Sequence, residues 1–137
     1  MIKMQTKTNA ICFLALVSIV ALMACVSAAD VTSDAFIELD GMDTYFDDVS
    51  VIAGETSTIV IEFTSDVEAS DVKIKVEIEG EKVDAEVVSK PFDVETGKSY
   101  RKTLRVQVPY ELKDDVSDDI ALNVKIWNGD YKTEIED

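Results

Sequence analysis

The sequence contains no histidine and only two cysteines, Cys12 and Cys25. Without histidine the chain has no Ser-His-Asp or Cys-His nucleophile and none of the histidine-containing ligand sets usual for zinc and copper. Both cysteines lie within residues 1–29, which have the pattern of a leader. A chain that starts near Asp30 would therefore have no thiol for catalysis, for iron–sulfur ligation or for a disulfide.

Glycine and proline are also scarce, with five and two residues respectively, and no glycine-rich phosphate loop is present. Carboxylates are abundant, since the chain has 28 Asp and Glu residues. A glycosidase, however, needs two carboxylates held at a defined separation in a cleft, and abundance does not supply that geometry. We therefore expect a protein that is not an enzyme and needs no cofactor.

Residues 1–29 are typical of a secretory signal peptide. They contain basic residues near the start, an apolar stretch over residues 10–26 and small residues after it, with no acidic residue. Cleavage after Ala28 or Ala29 would leave small residues at the two positions that signal peptidase reads. The sequence thus predicts a secreted protein found outside the cell or on its surface.

Two other fates of this leader remain open. Cys25 ends the run Leu-Met-Ala-Cys, which resembles a bacterial lipoprotein box, and lipidation there would anchor the protein to a membrane. Alternatively the leader stays uncut, although an apolar stretch of about 17 residues is the short limit for a membrane span. In neither case do we expect the folded domain itself to insert into a membrane.

The chain is strongly acidic, with a formal net charge of −15. The leader contains two of the 13 basic residues and none of the 28 acidic ones, so the remainder has 11 against 28 and a charge of −17. Such a surface repels nucleic acids and anionic lipid headgroups, and we expect neither as a partner. The charge either keeps the protein soluble or binds cations, and charge balance alone favours solubility.

From Asp30 onward the apolar residues recur at every second position, which predicts strands with one buried face. Four longer runs alternate in this way, at residues 58–64, 72–79, 104–108 and 120–126. Shorter candidate strands lie at residues 36–39, 49–52, 83–88 and 131–135. No window after residue 30 has a helical stripe.

These patterns predict an all-β protein, a single immunoglobulin-like antiparallel β-sandwich of seven or eight strands over residues 36–137. Residues 30–35 are predicted to be a flexible segment between the leader and this domain. Asn128-Gly129 separates two strand candidates, and this dipeptide readily takes the positive φ angles of a type I′ hairpin turn.

Two long runs resemble the immunoglobulin-like domains of archaeal surface-layer-associated and other cell-surface proteins. They are VSVIAGETSTIVIEFTSDVEASDVKIKVEIEG, residues 49–80, and FDVETGKSYRKTLRVQVPYELKDDVSDDIALNVKIWNG, residues 92–129. The similar features are Ala-Gly-Glu before one strand, Ser-Asp-Val opening the next, and Val108-Pro109. The resemblance implies an exported structural, adhesive or spacer module, and it implies no catalytic residue.

Two acidic clusters are candidate calcium sites, because carboxylates grouped in a loop supply several of the six to eight oxygens that this ion prefers. Their members are Asp40, Asp43, Asp47 and Asp48 in the first cluster, and Asp114, Asp115, Asp118 and Asp119 in the second. Neither has the spacing of an EF-hand. The alternative is a solvated loop whose acids oppose strand pairing, as most like-charge runs do.

Aromatic residues suggest a second kind of site. Trp127 is out of phase with the apolar residues of its strand, so we expect it on the outer face, where it either covers the hairpin or contacts a glycan or protein partner. Tyr110, like Tyr45 and Phe46, lies near an acidic loop and is a candidate for the same surface. A carbohydrate-binding module is therefore an alternative to a structural one.

Self-assembly is a third alternative. An open sheet edge can accept a strand from a neighbouring copy, and the segment before residue 36 is a candidate donor, as in extracellular filaments. The net charge opposes stacking of copies unless salt or divalent ions screen it. The main expectation remains a non-catalytic module that meets a protein or a glycan at the cell surface.

Overall fold

The computed structural model describes residues 28–80, 84–110 and 120–136, which form nine strands and no helix. The strands are β1 (Ala35–Leu39), β2 (Met42–Asp43), β3 (Thr56–Thr64), β4 (Ala69–Gly80), β5 (Asp84–Val88), β6 (Phe92–Val94), β7 (Ser99–Gln107), β8 (Ile120–Trp127) and β9 (Lys132–Glu136). No helix in the described part of the chain is long and apolar enough to cross a membrane. Most of the predicted leader, including Cys25, lies outside the described residues.

The strands form two antiparallel sheets. The first has the order β2-β1-β3-β7, and the second has the order β5-β4-β8-β9, with β6 also paired to β4. Apolar side chains of both sheets belong to one hydrophobic core. The all-β class is therefore confirmed, with two layers arranged as in a β-sandwich.

The four long predicted runs are strands, and their alternation is the reason. β3 buries Ile59, Ile61 and Phe63, while the alternating Thr58, Val60 and Glu62 stay partly exposed. The same alternation holds in β4, where Val72, Ile74, Val76 and Ile78 are fully buried, and in β8, where Leu122, Val124 and Ile126 are buried. Each of these side chains gains roughly 1.5–3 kcal/mol from leaving water, which selects the register that faces them inward.

The prediction of a strand at residues 49–52 is wrong. These residues belong to no strand, and Ile52 is 62% exposed. A turn follows directly, in which Glu55 N–H donates to Ile52 O and Gly54 has a φ of 83°. The very short β2 and β6 were not predicted, because two or three residues are too few to show a period of two.

The positive-φ hairpin turn lies at Asp40-Gly41 and not at Asn128-Gly129. Asp40 and Gly41 have φ values of 51° and 85° between the paired Leu39 and Met42, as a type I′ turn requires. Neither Asn128 nor Gly129 has a positive φ. There the loop is four residues long, and Asn128 Oδ1 accepts the N–H groups of Asp130 and Tyr131, each at 2.9 Å.

Residues 30–35, predicted to be flexible, instead pack against the last strand. Val31 is fully buried and Thr32 is 2% exposed. Thr133 Oγ1 accepts the backbone N–H groups of Val31 at 3.0 Å and Thr32 at 3.2 Å, and Ala29 forms a parallel bridge with Tyr131. Val31 has polar neighbours, so the sequence shows no strand period around it, yet its side chain belongs to the hydrophobic core.

Candidate functional site

An exposed groove of about 600 Å³ lies between the edges of the two sheets, and we call it the edge groove. One wall is the start of β1 and the chain after β2, and the other is the end of β9. Its apolar lining comes mainly from Phe36, Tyr45, Phe46 and Ile135. Its acidic lining is Asp34, Asp43 and Glu136.

The β1–β2 hairpin positions the aromatic wall. The Asp40-Gly41 turn reverses the chain, and Thr44 N–H donates to Ile37 O at 3.1 Å. Asp43 Oδ1 then accepts the N–H of Tyr45 at 2.9 Å, a local Asx-type bond that bends the chain out of the strand. Tyr45 and Phe46 are thereby directed away from the core.

Tyr45 and Phe46 are 79% and 80% exposed, although both are large apolar residues. Their ring centroids are 4.8 Å apart with planes at 83°, an edge-to-face pair. The neighbouring Phe36 is 41% exposed on the outer face of β1. A contiguous aromatic patch rimmed by polar groups is the composition of a binding surface.

The acidic groups of the groove have no cationic partner within the described residues. Some acids elsewhere on the surface do form ion pairs. Arg101 bridges Glu38 and Glu62, and Glu134 Oε1 lies 2.7 Å from Lys132 Nζ. The hydrogen bond from Lys132 keeps the pKa of Glu134 below its usual range. Asp34, Asp43 and Glu136 form no such ion pair in the described part of the chain, so the groove has a negative rim.

Backbone groups are also open at this edge. Lys132 N–H donates to Ala29 O at 3.0 Å, so it points away from β8. The backbone N–H and C=O groups of successive residues in a strand are directed to opposite sides, so those of every second residue are directed to the same side. The backbone groups of Glu134 and Glu136 are therefore directed away from β8, like those of Lys132. Beyond the Ala29 bridge, no strand in the described residues pairs with this side of β9.

At the edge of the sandwich opposite the groove, the two sheets are in contact. There β7 approaches β5 of the other sheet. Lys102 of β7 occupies a core-side position opposite Ile61, with its Nζ 4.0 Å from the ring centroid of Phe92. An inward lysine on an edge strand discourages pairing with another chain, which makes the edge groove the more accessible edge.

The first predicted calcium cluster is dispersed over structural roles. Asp40 Oδ1 accepts Thr58 N–H at 2.7 Å, and Asp43 holds Tyr45 as described above. Among the described residues no group of three or more acids is placed to hold a metal ion. The other two acids of this cluster, Asp47 and Asp48, follow β2 and are exposed. The second cluster lies outside the described residues, with its members Asp114, Asp115, Asp118 and Asp119. Calcium binding therefore stays a prediction.

The two aromatic residues predicted for a partner lie at opposite ends of the sandwich. Trp127 is half-buried on the outer face of β8, as predicted, with Lys125 Nζ 5.4 Å from its ring centroid. Next to it Asn128 Nδ2 donates to Ser70 O, at the start of β4. Tyr110 is 70% exposed and packs over Gly54, just before β3 begins. The nine residues of β3 span about 30 Å between these ends, so the two do not form one site.

Sequence reasoning did not find the edge groove, although it noted Tyr45 and Phe46. Two features of the sequence point to the groove. One is the Asp-Gly dipeptide of a hairpin turn. The other is a pair of adjacent aromatic residues, which in a strand would point to opposite faces and could not both be buried in the core. Phe36 and Ile135 gave no signal, because their proximity depends on sheet order. Of the predicted cleavage residues, Ala28 is exposed and Ala29 forms the bridge to Tyr131, and cleavage stays a prediction.

Comparison with known proteins adds no identity. No protein-family model matches the chain, and neither a curated protein nor a solved structure matches it.

Proposed function

We propose that the protein is a non-catalytic, immunoglobulin-like interaction module, exported to the cell surface, that binds a partner through the edge groove. The observation that carries this proposal is the exposed aromatic pair, Tyr45 and Phe46, beside carboxylates with no ion-pair partner in the described chain. Exposing aromatic side chains to this extent raises the free energy of the protein in water, and burying them against a partner lowers it.

The order of the strands supports the immunoglobulin-like assignment. In such domains the first, second and fifth strands lie in one sheet, and the third, sixth and seventh lie in the other. With β2, β5 and β6 counted as additions, β1-β3-β7 and β4-β8-β9 follow that order. β6 departs from the pattern, because it pairs with β4 and not with β7.

The leader and the charge support export and surface placement. A cleavable leader directs the domain out of the cell, and an acidic surface keeps it soluble and repels other copies. Surface-layer-associated, adhesive and spacer roles all fit a small module without a catalytic residue set. A carbohydrate-binding module is the second candidate, favoured by aromatic rings beside the Asp43 carboxylate.

Binding to native cell envelopes tests the proposal. Labelled protein is titrated onto envelopes from cells that produce it, and wild type is compared with the double variant Tyr45→Ala/Phe46→Ala. We expect the double variant to bind at least about tenfold more weakly, as loss of central aromatic contacts does. Tyr110→Ala is the matched control, because Tyr110 is similarly exposed and distant from the groove.

Two results would contradict the proposal. One is equal binding by wild type, the double variant and the control, with far-ultraviolet circular dichroism showing all three folded. The other is recovery of the protein only from the cytoplasm with its leader intact, by fractionation and intact-mass measurement. The first result would show that the edge groove does not bind the partner, and the second would show that the protein is not at the cell surface.

A further inference from the structure

We infer that the edge groove binds an extended, basic segment of another protein, which pairs with the open side of β9 and alternates apolar with Lys or Arg residues. This inference rests on the proposed function and names its partner. Three independent features of the edge lead to it: the direction of backbone groups, the chemistry of the two faces, and the charge.

The backbone provides pairing sites for a strand. Glu134 and Glu136 direct their N–H and C=O groups away from β8, continuing a line begun by the hydrogen bond from Lys132 to Ala29. The segment around Ala29 already runs beside the start of β9. A guest strand would continue that pairing toward the end of β9, which is the mode of strand addition at exposed edges.

The side chains of β9 set the pattern of the guest. Thr133 and Ile135 face the core, whereas Glu134 and Glu136 face outward. Side chains of adjacent strands pair on the same face. Inward residues of the guest would therefore lie beside Ile135 and Phe46 and should be apolar. Glu134 is already paired with Lys132, so the outward position beside Glu136 is the one that should be basic.

Charge selects against a second copy of this chain as the guest. The formal net charge of the chain is −15. The lining of the groove contains Asp34, Asp43 and Glu136 and no lysine or arginine. An acidic strand would place a like charge opposite Glu136, which is destabilising. A basic strand instead gains attraction to Asp34, Asp43 and Glu136 and is steered toward the groove from a distance.

The experiment measures binding of a fluorescent peptide, Lys-Val-Lys-Val-Lys-Val-Lys, by anisotropy with the purified protein. Three control peptides each remove one feature: Glu replaces Lys, Ser replaces Val, or alternate backbone nitrogens are methylated. We expect binding by the first peptide alone, with each control at least about tenfold weaker. Raising NaCl from 50 mM to 500 mM should weaken binding severalfold, because exposed charges are screened.

Protein variants locate the peptide. Glu136→Gln should weaken binding about threefold, as for an exposed ion pair, and Phe46→Ala about tenfold. Glu55→Gln is the control, since Glu55 is exposed and outside the groove. Equal binding by Glu136→Gln, Phe46→Ala and wild type would overturn the inference, as would equal binding of the methylated peptide.

The outcomes separate this inference from the proposed function. If envelope binding depends on Tyr45 and Phe46 but the basic peptide does not bind, the inference fails and the proposed function stands. If a glycan array shows Phe46-dependent binding and the peptide does not compete, the partner is a carbohydrate and the inference is likewise wrong. If the groove variants change neither peptide nor envelope binding, both fail.

Discussion

Asp40 and Thr58 are joined by two hydrogen bonds: Asp40 N–H donates to Thr58 O at 2.8 Å, and Thr58 N–H donates to Asp40 Oδ1 at 2.7 Å. The pair extends the contact of β1 with β3 beyond Leu39 and Ile59, the last paired residues of those strands. It also holds the turn that leads to the aromatic wall of the edge groove. The Asp40 carboxylate, proposed from sequence as a calcium ligand, thus has a structural role.

Replacing Asp40 should therefore destabilise the fold. Asp40→Ala leaves the Thr58 N–H without its acceptor and puts alanine at a φ of 51°, so we expect a loss of about 1–2 kcal/mol in the free energy of unfolding. Asp40→Asn should lose less than half of that, because asparagine accepts the same bond and tolerates positive φ. Urea unfolding followed by the fluorescence of Trp127 measures both. A loss for Asp40→Ala no larger than for the exposed Asp48→Ala would contradict the role.

Gly54 should resist substitution. It has a φ of 83°, and a Cβ there would overlap the ring of Tyr110. We expect Gly54→Ala to lower the free energy of unfolding by about 1–3 kcal/mol. Combining it with Tyr110→Ala in a double-mutant cycle should reduce that loss, since only the backbone strain remains.

Gly129→Ala is the matched control for this prediction. Gly129 has no positive φ, and a Cβ added to it would meet nothing within 4 Å. Alanine there should be neutral or slightly stabilising, because it restricts the unfolded chain. Equal losses at both glycines would show that the turn at Gly54 does not need a left-handed residue.

The segment before β1 should contribute to stability. Val31 is fully buried, so Val31→Ala should cost about 2 kcal/mol through lost burial and the cavity that remains. Ser33→Ala, at an exposed position two residues away, should stay within about 0.5 kcal/mol. Thermal or urea unfolding of the two variants checks this. Indistinguishable stability would restore the flexible segment that the sequence suggested.

The pKa of Glu134 should depend on Lys132. The hydrogen bond from Lys132 favours the ionised carboxylate and keeps its pKa below the usual range, so Lys132→Met should raise that pKa toward the ordinary value of a glutamate. In the wild type the resulting stabilisation is complete above the unfolded-state pKa and is lost as pH falls through the folded-state value. A carboxyl-carbon NMR titration measures the shift. Lys98→Met, whose partner is Glu95, should leave Glu134 unchanged.

The long strands were predictable because their pattern is local. In β3, β4 and β8 every second residue is apolar. A strand with that pattern exposes the least apolar area to water when its apolar face is turned toward the core. The two layers follow, since a chain of this length with such strands must cover their apolar faces. The short strands at Met42–Asp43 and Phe92–Val94 lie below the length at which a period can be recognised.

The turns show where local chemistry stops being sufficient. Asp40-Gly41 and Asn128-Gly129 both suit positive φ angles, yet only the first adopts them. A two-residue loop between Leu39 and Met42 demands that geometry, whereas the loop from Trp127 to Lys132 is longer and is closed by the Asn128 side chain. The register of the flanking strands decides this, and register is set by the whole sheet.

The all-β class, the acidic surface and the inward face of each long strand follow from the sequence alone, because composition and a period of two are properties of neighbouring residues. The packing of the whole chain was needed to bring Val31 into the core and to line one groove with Phe36, Phe46 and Ile135. Phe36 and Ile135 lie on the first and last strands of the described residues, Val31 precedes β1, and Phe46 follows β2. The order in which the strands pair brings them together, and that order depends on burying the apolar faces of both sheets in one core.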